Sequence, residues 1–133
     1  MKKERLFRGL LITTAALIPA YWISVFTGVF PVEEVVPGYR TWFMSFPVPD
    51  FYIAISAVLA VLHLDKRDKF AALFGTMTGS GLIFLGLYAL GYGHLTGLLY
   101  QLNTEEVIEI LIKIYCLTAG PFFIRQSWKL IRA

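Results

Sequence analysis

Four long apolar runs dominate the chain: Gly9 to Phe30, Phe51 to Leu64, Phe70 to Tyr92 and Val107 to Ile124. At a helical rise of 1.5 Å per residue they extend over about 33, 21, 34 and 27 Å, against a hydrocarbon core of about 30 Å. Three are long enough to cross a bilayer and the second is short. Of the 133 residues, 57% are hydrophobic and 16% charged. Soluble domains run about 45–50% apolar and about 25% charged, so one soluble core of this size cannot absorb the excess. The same composition excludes disorder, collagen and coiled coil, and leaves no room for a second globular domain. The expected architecture is all-α: an integral membrane four-helix bundle, one domain over residues 1–133, with spans at about 9–30, 51–64, 70–92 and 107–124.

The segment Met1 to Arg8 has the charge of a signal-peptide start. The apolar run behind it outlasts a typical signal core of about 7–15 residues, and Ile18-Pro19-Ala20 is a poor cleavage site, so the first span is expected to be retained. Alternating spans put Lys2, Lys3, Arg5, Arg8, Lys66, Arg67, Lys69, Arg125, Lys129 and Arg132 on one side and Arg40 on the other. The positive-inside rule then places both termini in the cytoplasm, in the plasma membrane, which is the inner membrane if the cell is prokaryotic. The opposite loops are acidic, with Glu33, Glu34, Glu105 and Glu106. Asn103 stands three residues before Glu106. That is capping-box spacing, and it predicts that the last helix starts near Thr104.

The net charge of +3 is not gathered into a basic patch with interleaved aromatics, which excludes nucleic acid as a partner. The expected partner is the bilayer itself, with a second copy or another membrane helix as a further possibility. Cys116 is the single cysteine, so no intrachain disulfide forms. His63 and His94 fall about one membrane thickness apart, and neither metal nor haem is expected as a cofactor. The four-span layout is similar in outline to the small multidrug transporters, the vitamin K epoxide reductases and the DoxX-like membrane proteins. The likeness is one of span count: the first span lacks the transporters' membrane carboxylate, and the reductases' paired cysteines are missing.

Small and polar residues recur along the helices: Thr13, Ala16, Ala20, Ser24 and Thr27 in the first, Ala54 and Ala57 in the second, and Gly75, Gly79, Gly86 and Gly93 in the third. Such stripes mark close helix approach, because association in lipid rests on packing and hydrogen bonds. Gly75-x-x-x-Gly79 is the sharpest case, read as an intramolecular seam ahead of a dimerisation seam.

Charges within the spans mark the candidate site. Counted from Leu64 at the inner boundary, Asp50 falls about 9 Å below the outer surface, behind a lead-in carrying Pro31, Pro37, Pro47 and Pro49. Counted from Val107, Lys113 reaches the same depth, with Glu109 four residues before it on the same face. An isolated charge there costs at least a few kcal/mol, so Asp50 and Lys113 are expected to meet, with Glu109 sharing the ammonium. Tyr39, Arg40 and Trp42 are expected to roof this pocket. The leading expectation is a bundle that binds an amphipathic ligand or a partner helix. The alternatives are an ion- or proton-coupled transporter acting as a dimer and a lipid-modifying enzyme, though no nucleophile–base pair, metal cluster or phosphate loop supports catalysis.

The orientation has a direct test. With cysteine placed at position 34 or 133 in a Cys116→Ser background, an impermeant thiol reagent outside right-side-out vesicles should label position 34 alone. The reverse pattern inverts the topology.

Overall fold

A computed structural model describes residues 2–66 and 69–132. Arg67, one of the basic residues in the orientation count, and position 133 lie outside the described residues. Every regular element among the described residues is helical: α1 (Lys2–Phe26), α2 (Tyr39–Phe43), α3 (Pro47–Leu64), α4 (Lys69–Thr96), a 3-10 turn at Leu98–Tyr100, and α5 (Thr104–Arg132). Four helical stretches, Lys2–Phe26, Tyr39–Leu64, Lys69–Thr96 and Thr104–Arg132, are long and apolar enough to cross a membrane.

Local chemistry explains the boundaries. The Asn103 side chain accepts the Glu106 amide at 2.8 Å, and α5 begins at Thr104, where the capping spacing puts it. α3 begins at Pro47, four residues ahead of the expected start, and has 18 residues. Its length is then about 27 Å. Pro47 and Pro49 do not interrupt it, because residues of the first turn need no intrahelical amide bond. α2 lies three residues upstream and carries the same span outward to Tyr39. The other helices also run past their apolar cores into charged flanks, α1 back to Lys2 and α5 on to Arg132.

The helices alternate in direction. α1 packs on α3, α3 on α4, and α4 most extensively on α5, while α1 and α5 touch least. The basic end gathers the start of α1, the α3–α4 turn and the end of α5, and an Arg8–Asp65 ion pair ties α1 to α3 there. Two hydrophobic clusters form the interior. The larger, toward the basic end, includes Phe7, Leu11, Ala57, Leu64, Cys116 and Phe123. The smaller, toward the acidic end, is Trp22, Val25 and Phe43 with surrounding aromatics.

Glycine makes the α4–α5 seam. A Cβ on Gly79 would lie 2.5 Å from the Gly120 carbonyl oxygen, one on Gly86 would lie 2.9 Å from Leu117, and one on Gly75 would collide with Ser127. The stripe expected on α1 does not pack in this way. Thr13, Ala16, Ala20 and Thr27 are exposed, and α1 buries Phe7, Leu11, Thr14, Trp22 and Val25 instead. The hydroxyls on that stripe stay satisfied without it: Thr13, Ser24 and Thr27 donate to carbonyls four residues back at 2.8, 2.9 and 2.7 Å. A hydroxyl satisfied by its own helix needs no partner across the bundle and can face lipid.

Gly79→Ala should therefore lower the thermal midpoint in detergent markedly. Gly91→Ala, with nothing within 4 Å of the new methyl, should hold or raise it. Equal midpoints would remove the case for a close-packed seam.

Candidate functional site

A cavity of about 560 Å³ lies between the two hydrophobic clusters. Its wall on one side includes Leu82 and Cys116 of the larger cluster, and on the other Trp22 and Phe43 of the smaller. Most of the lining is aliphatic or aromatic. Three acidic or basic side chains break the apolar surface: Asp50 from the first turn of α3, and Glu109 and Lys113 from α5.

Four of the lining residues are exposed to the surroundings: Leu17 and Ala20 on α1, and Leu111 and Ile112 on α5. The cavity thus opens sideways through the α1–α5 seam. Two hydrogen-bonded rungs frame the opening. Toward the basic end the Thr14 and Tyr115 hydroxyls meet at 2.6 Å. Toward the acidic end the Tyr21 hydroxyl donates to Glu109 at 2.9 Å. Seven residues separate the rungs along α1 and six along α5, so the window between them is about 9–10.5 Å tall. All four exposed lining residues fall within it.

The charged groups are distributed differently from the expected triad. Asp50 accepts a hydrogen bond from the Trp22 indole at 2.7 Å. Lys113, only 8% exposed, reaches back two turns along α5 to Glu106 at 3.3 Å. The expected Asp50–Lys113 ion pair is not formed, nor does Glu109 take the Lys113 ammonium. Helical side chains lean toward the N-terminus, and seven residues bring i and i−7 nearly onto one line, so a long lysine side chain can reach the Glu106 carboxylate. Gly93 leaves room for the ammonium, whose nitrogen lies 3.2 Å from where a Cβ on that residue would sit.

Of the residues expected to roof the site, Trp42 lines the cavity and stacks on Tyr92 at 3.9 Å with an 8° interplanar angle. Tyr39 lines a smaller neighbouring pocket of about 100 Å³, which shares Tyr21, Phe43, Ile108 and Glu109 with the cavity. Arg40 lines neither; it is exposed, and its backbone amide donates to Glu34 at 2.8 Å. Sequence reasoning missed Trp22, Tyr21, Tyr115 and Glu106. The usable signal was the polar tip on each aromatic, since a Tyr or Trp deep in an apolar span needs a partner for its O–H or N–H.

Among the described residues, no three of His, Cys, Asp and Glu come together as metal ligands. What the arrangement offers is a container with an apolar wall, a few hydrogen-bonding and charged groups and a lateral entrance. No protein-family model matches the chain, and no curated protein or solved structure matches it.

Pairing can be separated from mere proximity. In a double-mutant cycle on thermal stability, Glu106→Gln and Lys113→Met should be non-additive by about 1 kcal/mol or more, because either change alone strands a buried charge. Asp50→Asn and Lys113→Met should add within about 0.5 kcal/mol. The opposite pattern would restore the Asp50–Lys113 pair.

Proposed function

We propose that this is a multi-pass membrane protein that binds an amphipathic small molecule taken from the bilayer, with both termini cytoplasmic. The cavity and its lateral window carry this conclusion. Ligand pockets typically measure about 300–1,000 Å³ and combine apolar walls with a few polar groups that fix orientation. This cavity has that size and make-up, and its window opens where lipid chains would be. An amphiphile dissolved in the membrane would enter between α1 and α5, leave its tail in the apolar space, and set its polar head against the level of Asp50 and Glu109. The Tyr21–Glu109 and Thr14–Tyr115 rungs would hold the seam above and below it. The basic residues at the end where α1 begins and α5 finishes support the cytoplasmic placement of that end.

Cys116 lines the cavity and is the only thiol in the chain, so it reports on occupancy without engineering. In phosphatidylcholine nanodiscs, N-phenylmaleimide, which dissolves in the bilayer, should label Cys116, and a charged, impermeant thiol reagent should not. Saturating decanol should slow labelling. Ala20→Trp fills the window from an exposed helix position and should abolish the decanol effect. A labelling rate that no decyl-chain amphiphile changes would overturn the proposal.

A further inference from the structure

We propose that the ligand is a cationic amphiphile, an alkyl-chain amine whose ammonium bonds to the carboxylates of Asp50 and Glu109. This rests on reading the cavity as a binding site. The balance of charge around it is the first support. The one protein cation in the lining, Lys113, is engaged by Glu106 at 3.3 Å. Among the described residues, neither Asp50 nor Glu109 has a cation within ion-pair distance; their hydrogen bonds come from neutral donors, an indole and a phenol.

Unused acceptor capacity is the second support. A carboxylate offers about four lone-pair sites, and each of these two receives one hydrogen bond from the protein. An ammonium brings three donors and a charge, so it satisfies acceptors on both and forms charge-assisted bonds, about twice as strong as neutral ones. The third support is the wall: Tyr21, Trp22, Trp42 and Phe43 surround the same space, and aromatic faces attract cations. An anionic head group would meet two carboxylates in a low-dielectric setting and be repelled. A neutral alcohol would find acceptors but gain no charge assistance.

The test uses the full chain in phosphatidylcholine nanodiscs, with three probes that share one tail: decylamine, decanol and decanoic acid. The readout is protection of Cys116 from N-phenylmaleimide. Decylamine should protect at about tenfold lower concentration than decanol, and decanoic acid should be weakest. In the variant combining Asp50→Asn with Glu109→Gln, decylamine should lose its advantage and protect at the same concentration as decanol, while an unchanged cooperative thermal transition in detergent certifies the fold. If that variant does not fold, Asp50→Asn alone serves, and the decylamine-to-decanol advantage must shrink. Equal protection by decylamine and decanol in the unaltered chain, or strongest protection by decanoic acid, overturns the amine assignment and leaves the binding site standing. Protection by none of the three overturns the binding site instead.

Discussion

The close approach of α4 and α5 sets the rest of the bundle. With hydrogen in place of side chains at Gly79 and Gly120, the two backbones meet, and α5 is drawn against α4 along much of its length. What is spent on one side of α5 is missing from the other. α1 must then bridge to α5 with large side chains, Phe7 against Phe122 and Phe123 near the basic end and tyrosine hydroxyls further along. Between those bridges the exposed lining residues Leu17, Ala20, Leu111 and Ile112 stand at the seam, and the cavity opens there.

Polar groups inside an apolar span cannot look to water, so a partner within the bundle stabilises them. Two of the pairs found join a carboxylate to a neutral aromatic donor: Trp22 with Asp50, Tyr21 with Glu109. Such pairs orient a carboxylate without cancelling its charge. They also tie α1 to α3 and to α5, so the same bonds that place the carboxylates hold the helix that shields them.

Much of the architecture was legible in the residues. Apolar run length gave four helices, and Asn103 with Glu106 gave the start of α5, because both signals are local and depend on backbone geometry alone. Level along a helix follows from the fixed rise per residue. Azimuth does not. Asp50 and Lys113 were counted to the same level, but level does not say which way a side chain turns, and Lys113 turns along its own helix to Glu106. The small-residue stripe on α1 misled for a related reason: a threonine that bonds back to its own carbonyl looks, in sequence, like one that bonds across the bundle. Trp22 passed as ordinary apolar filling because its single polar atom is invisible to any pattern of hydrophobicity.

In cross-section the bundle is a ring with three continuous joints and a fourth that is merely buttoned. Phe7 against Phe122 and Phe123 closes its basic end, and along the window the Thr14–Tyr115 and Tyr21–Glu109 rungs are the buttons, each a side-chain hydrogen bond. A net intramolecular hydrogen bond contributes about 1 kcal/mol, far less than a packed helix face. Parting the bundle along this window breaks two hydrogen bonds, whereas parting it at any other joint separates a packed helix face. The entrance to the cavity therefore lies in the joint that parts most easily.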